Sequence, residues 1–254
     1  MLSNYLIICP LVFIAGFIDA VAGGGGLVSL PAYIFTGIPV HQCVATNKMS
    51  AFMGTSVATA KYAKSGFIPW KIAITCIPCA LIGSALGAKA ALMVPDRIFK
   101  IVLMIVIPLT GVYILTDKNR AGIKEKLSLR STILISMMIS FFIGIYDGFY
   151  GPGTGTFLIL LLTGIARMEL TEANGLTKVI NLSTNASALA VFLINHQVLF
   201  PLGVIAGIFN IAGNYLGASG FEKNGSKLVR PVMLLVLSIF LIKLFFEVFS
   251  EKLF

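Results

Sequence analysis

The chain has 254 residues, of which 57% are hydrophobic and 11% charged, with a net charge of +9 and a mean hydropathy of +0.96. So few polar groups cannot wet the surface of a soluble domain of this size, so the composition excludes a water-soluble fold and points to an all-α, polytopic membrane protein. Most Lys and Arg residues gather in short loops between apolar spans, as cytoplasmic loops do, which accounts for the positive charge without nucleic acid as a partner.

Taken in chain order, a first apolar helix is predicted near 4–22. No Lys or Arg precedes Lys48, so this stretch lacks the basic start of a secretory leader and reads as a membrane helix. A break of four glycines, Gly23 to Gly26, leads into a short apolar piece near 27–37, and longer helices follow near 40–64, 69–93 and 97–116. After a linker at 118–130 that holds Lys118, Arg120, Lys124, Lys126 and Arg130, the pattern returns near 131–150, 154–166, 171–195, 200–220 and 230–249. Each short piece would cover only about 16–20 Å at 1.5 Å per residue, too little to span a bilayer. Each opening pair is therefore expected to form a broken hairpin that enters and leaves on one side. Polar residues recur at helical rather than alternating spacing, which argues against a barrel.

The two halves are a duplication. Gly16-Phe-Ile-Asp19-Ala-Val-Ala-Gly23 returns as Gly144-Ile-Tyr-Asp147-Gly-Phe-Tyr-Gly151, displaced by 128 positions (147 − 19). Lys48 maps to Lys178, Gly83 to Gly213 and Gly87 to Gly217 with a displacement of 130 (178 − 48). A hairpin plus three crossings is an odd number, so the second half is expected to be inverted. The predicted organisation is a first repeat at 1–117, a basic cytoplasmic linker at 118–130 and a second, inverted repeat at 131–254, with both termini outside. Lys61, Lys64 and Lys71 then fall inside with the linker, whereas Arg97 and Lys100 are exceptions on the outer side. The four cysteines, including the pair in Cys76-Ile-Pro-Cys79, read as small buried hydrophobes rather than redox or metal ligands.

Inverted repeats with interrupted helices place a binding site between the repeats in many secondary transporters. The interruptions here are Gly23-Gly24-Gly25-Gly26 and Gly151-Pro152-Gly153-Thr154-Gly155-Thr156. Each opens a half-helix whose N-terminal N–H groups suit an anion, and glycine lets a ligand approach the backbone. A tight turn between packed helices would use glycine too. Neither stretch is a nucleotide loop, since no Lys-Ser/Thr follows.

On the next helix of the second half, Asn174, Lys178, Asn181 and Asn185 share one face, and the equivalent face of the first half carries Lys48, Ala51, Thr55 and Thr59, with Thr46 and Asn47 adjacent. A lysine at the centre of a membrane helix costs at least about 2.5–3.5 kcal/mol. It must therefore either serve a site or snorkel to the interface, and the asparagines and threonines could instead join helices. Asp19 and Asp147, each just before a break, could cap backbone N–H groups, pair with a lysine or carry coupling protons. With two histidines and neither HExxH nor GxSxG, a membrane hydrolase has no support, and no cofactor or metal is expected.

The motifs Gly16-Phe-Ile-Asp19-Ala-Val-Ala-Gly-Gly-Gly-Gly26, Ala45-Thr-Asn-Lys48, Lys61-Tyr-Ala-Lys-Ser-Gly66, Gly151-Pro-Gly153, Thr177-Lys178 and Asn181-Leu-Ser-Thr-Asn185, in that order, resemble the TauE/SafE family of sulfite exporters over nearly the whole chain. The resemblance implies export of sulfite, a sulfonate or a related organosulfur anion across the bacterial cytoplasmic membrane. It leaves the anion unspecified, because such families diversify at their sites. Gly24 is matched by Pro152 and Asn47 by Thr177, so the half-sites are not equivalent.

The expected site is Gly24, Gly25, Gly26, Asn47, Lys48, Thr55, Gly153, Thr154, Thr177, Lys178, Asn181 and Asn185 for the anion, with Asp19 and Asp147 for a coupling proton or sodium ion. The expected mechanism is alternating access. The competing class is a non-transporting membrane assembly or interaction subunit.

Overall fold

The computed structural model describes residues 2–95, 127–228 and 231–232. The helices are α1 (Leu2–Ala22), α2 (Gly26–Ile34), α3 (Val40–Lys64), α4 (Trp70–Met93), α5 (Leu129–Phe149), α6 (Thr154–Gly164), α7 (Leu170–Ile194) and α8 (Phe200–Asn224), followed by a 3₁₀ turn at Gly225–Leu228. These match the predicted elements to within a few residues. The helices expected near 97–116 and 230–249, and most of the linker at 118–130, lie outside the described residues.

Five described helices, α1, α4, α5, α7 and α8, are long and apolar enough to cross a membrane. The 25 residues of α3 give it the length, about 38 Å, but it buries Thr46, Asn47, Lys48, Ser50, Thr55 and Thr59, which lowers its apolarity. With 9 and 11 residues, α2 and α6 reach only about 14–17 Å.

The helix ends follow local chemistry. Pro39 and Pro69 stand just before α3 and α4, where the missing N–H costs nothing. Helix α3 ends in a Schellman motif, in which the Phe67 N–H donates to Tyr62 O and the Gly66 N–H to Ala63 O, with Gly66 at φ +73°. Its repeat-mate α7 ends identically, except that His196 holds the left-handed position at φ +53°.

The long helices pack in pairs exchanged between the halves. Helix α1 lies along α8 and α4 along α5, while α3 contacts α8 and α7 in the centre. Small residues set these contacts, because apolar helices in lipid associate by close van der Waals packing. A Cβ at Gly83 or Gly87 would collide with the carbonyls of Phe141 or Ile145; at Gly213 or Gly217 it would collide with those of Phe13 or Phe17. The second set of contacts is the first displaced by the repeat. Two apolar clusters lie along α3 and α7. One gathers Tyr62, Leu176 and Phe221, the other Tyr33, Val44 and Phe192. Between them, midway along both helices, sits a buried polar layer from Thr46 to Thr55 and from Asn181 to Asn185.

Candidate functional site

The glycine breaks of the two halves meet in this polar layer. Gly23 and Gly151 adopt φ +73° and +97°, the left-handed region that glycine enters without strain. A Cβ at Gly23 would strike the Gly155 backbone, and one at Gly26 would lie 2.9 Å from Pro152 Cα. Backbone thus faces backbone where side chains would otherwise separate the halves.

The lysines and aspartates pair crosswise. Lys48 Nζ lies 2.7 Å from Asp147 Oδ2, with exposures of only 3% and 5%, and 3.2 Å from Asn185 Oδ1, to which it donates. The other carboxylate oxygen, Asp147 Oδ1, is 2.8 Å from the Thr154 hydroxyl at the start of α6. Both oxygens of Asp147 are therefore engaged, one by the first half and one by its own break. Lys178, wholly buried, sits 3.9 Å from Asp19 Oδ2 and donates instead to the Asp19 backbone carbonyl. Among the described residues the Asp19 carboxylate has no hydrogen-bond partner, and it is 19% exposed. Neither lysine snorkels to an interface.

Lys178 belongs to a larger arrangement at the end of α1. The last carbonyls of a helix have no partner within it. Here Tyr62 donates to Ala20 O at 2.8 Å, Asn174 Nδ2 to Val21 O at 2.9 Å and Thr156 to Ala22 O at 3.0 Å, while Lys178 takes Asp19 O. Four successive carbonyls are capped by side chains from α3, α6 and α7, and a cation there also meets the negative end of the helix dipole.

A cavity of about 40 Å³ opens in the polar layer. One water needs about 10–15 Å³ on this scale, so the space suits a few waters or one compact ion. Of the residues singled out in the sequence, Asp19, Gly25, Gly26, Asn47, Lys48, Thr55, Asp147, Thr154, Asn181 and Asn185 line it; Gly24, Gly153, Thr177 and Lys178 do not. The wall also includes Ala15, Ser29 and Asn210, which the repeat comparison passed over. Asn210 and Asn214 recur at i, i+4 within the apolar part of α8, ahead of its polar end at Ser219 to Asn224, a signal present in the sequence. Asn47 and Asn181 each keep a buried amide oxygen without a hydrogen-bond partner, a cost that native interiors avoid unless something fills the space. Among the described residues no cluster of His, Cys, Asp and Glu could hold a metal ion.

The chain matches the family model described as "Sulfite exporter TauE/SafE" over residues 8–244. It belongs to the TauE/SafE family. It is 33% identical to a probable membrane transporter protein of Haemophilus influenzae over 88% of each chain. With the probable membrane transporter protein ORF9 of a Sinorhizobium species it shares 32% identity, over 88% of this chain and 85% of the relative. The probable membrane transporter protein YfcA of Escherichia coli K12 is 26% identical over 94% of this chain and 88% of its own. No solved structure matches significantly. The chain is thus a multi-pass membrane protein of a transporter family, and the cavity between its halves is its candidate binding site.

Proposed function

We propose that this protein is a secondary transporter of the bacterial cytoplasmic membrane that exports a small sulfur-containing oxyanion, sulfite being the type. Its two repeats, 1–117 and 131–254, stand inverted across the membrane, joined by the cytoplasmic linker at 118–130, with both termini outside. The observation that carries this reading is the convergence of both glycine breaks, Lys48 and buried asparagines on one small cavity midway along the helices. Interrupted helices between repeats are where such carriers hold their cargo.

In this reading the anion meets Lys48, the first N–H groups of α2 at Gly25 and Gly26, and the side chains of Asn47, Thr55, Thr154, Asn181 and Asn185. Gly24, Gly153, Thr177 and Lys178 support the breaks from behind the wall. Lys48, Lys178, Asp19 and Asp147 together carry no net charge, so an entering anion brings an uncompensated charge into a poorly solvated space. A proton or sodium ion taken up with it, at Asp19, restores neutrality. Alternating access then exposes the cavity to each side as one repeat rocks against the other.

The test is flux. Purified protein in liposomes loaded with sulfite should release it saturably and faster than protein-free liposomes, with sulfate, thiosulfate, sulfoacetate and taurine ranking the preference. Correctly inserted protein that moves none of these would favour the non-transporting assembly subunit.

A further inference from the structure

Asn210 enters the cavity wall from α8, 5% exposed, and its orientation is determined by its neighbour. Asn214 Nδ2 donates to the backbone carbonyl of Asn210 at 3.1 Å and to Asn210 Oδ1 at 2.6 Å. A backbone carbonyl can only accept, so the Asn214 atom facing it must be the amide nitrogen. The same nitrogen then requires the nearer Asn210 atom to be its oxygen. With that oxygen turned to Asn214, what Asn210 presents on its other side is its NH₂ group, two donors.

The space for this arrangement is built by two glycines. A Cβ at Gly54 would collide with Asn210 Oδ1, and one at Gly16 would lie 2.6 Å from Asn210 O and 3.0 Å from Asn214 Nδ2. The asparagine pair therefore locks into α1 and α3 rather than lying against lipid. The repeat offers no counterpart, since the position equivalent to Asn210 is Ala80, which packs on Gly144 and takes no part in the wall.

We infer that Asn210 is a ligand-binding residue that donates to an oxygen of the bound anion, and that Asn214 is the positioning residue holding its amide in the donating orientation. This rests on the reading of the cavity as an anion site. A donor from one half only makes the site one-sided. The anion is fixed between Lys48 and Asn210 in one orientation instead of being shared symmetrically by the two repeats. Removing such a donor weakens the anion, and replacing it by a carboxylate opposes it outright.

Sulfite binding to the purified protein by calorimetric titration, with thermal unfolding of the anion-free protein alongside, tests this. Asn210→Ala should weaken sulfite at least tenfold and Asn210→Asp still more, while Asn210→Ser, which keeps a donor, recovers part of the loss. Asn214→Ala should cost less than Asn210→Ala, because the donor remains but its orientation does not. If Asn210→Ala fails to fold, Asn210→Ser and Asn214→Ala decide between binding and packing by the same titration. Wild-type sulfite affinity in the folded Asn210 and Asn214 variants, beside a loss in Lys48→Met, would reduce Asn210 to packing and leave the site standing. If the wild-type protein itself gives no titration with sulfite, sulfate, thiosulfate or sulfoacetate, the anion site fails and this inference with it.

Discussion

The Lys48–Asp147 and Lys178–Asp19 pairs occupy equivalent places in the two halves, and each joins a lysine of one half to an aspartate of the other. In the first, the ammonium touches the carboxylate at 2.7 Å and both groups line the cavity. In the second, the ammonium has turned to the end of α1, leaving the carboxylate 3.9 Å away. The difference teaches that the matched positions of the two halves keep the charges while dividing the work. Lys178 closes a helix end; Lys48 faces the space a ligand would fill. Asp147 is held from two sides, and Asp19 is the carboxylate left open to the cavity.

The division predicts unequal losses. Lys178→Met removes a fully buried cation and leaves the Asp19 carboxylate without its ion-pair partner, while the Asp19 carbonyl keeps only the Gly23 N–H; breaking a buried pair in this way costs about 3–5 kcal/mol. Its main effect should be low abundance and a lowered unfolding temperature, relieved in part by adding Asp19→Asn. Lys48→Met leaves Asp147 beside the cavity with only the Thr154 hydroxyl, whose single proton it shares with Gly151 O. That variant also breaks a buried pair and loses stability, and in addition should bind sulfite at least tenfold more weakly, about 1.4 kcal/mol. Expression in membranes and titration of the purified variants separate the two effects. Should Lys178→Met insert normally and lose the anion while Lys48→Met does the reverse, the roles are exchanged.

The aspartates sharpen the comparison at a smaller scale. Asp19 lines the cavity with Lys178, Lys48 and Asp147 as its charged neighbours, and in the proposed coupling its carboxylate takes up the proton that enters with the anion. Asp19→Asn should therefore flatten the pH dependence of sulfite flux while leaving binding measurable at one pH. Asp147→Asn should keep the wild-type pH profile with a lower rate, because its oxygens serve Lys48 and Thr154. Flux assayed in liposomes across a series of imposed pH gradients distinguishes them, and a profile flattened by Asp147→Asn alone would move the coupling site to the second half.

Much of this was legible in the chain. Helix bounds followed from apolar length and from Pro and Gly punctuation, and the displacement of Asp19 to Asp147 and Lys48 to Lys178 located the breaks and the lysines. The crossed pairing was not legible, because it depends on how α1 and α5 lie against α7 and α3, contacts between residues far apart in sequence. Lys178 stood in the sequence as an equal of Lys48; only the capped carbonyls of Asp19, Ala20, Val21 and Ala22 reveal its different task. Asn210 escaped because the comparison of halves favours positions polar in both, and its partner position is Ala80.

A further difference lies where the halves share a backbone conformation but fill it with different residues. Helices α3 and α7 end in the same hydrogen-bonded motif, but its left-handed residue is Gly66 in one and His196 in the other. A Cβ at Gly66 would meet nothing within 4 Å, so Gly66→Ala tests the backbone alone. The left-handed conformation costs a residue with a Cβ about 1–2 kcal/mol, and the substitution should destabilise by that amount. His196→Gly relieves the same cost but adds the chain entropy of glycine, about 0.5–1 kcal/mol in the opposite sense, so the net gain should be about 0.5 kcal/mol. The unfolding temperature in detergent should fall for Gly66→Ala and rise slightly for His196→Gly, with sulfite binding unchanged in both, since neither residue lines the cavity. A fall for His196→Gly would mean that the imidazole holds this end of α7 by contacts worth more than the backbone strain it imposes.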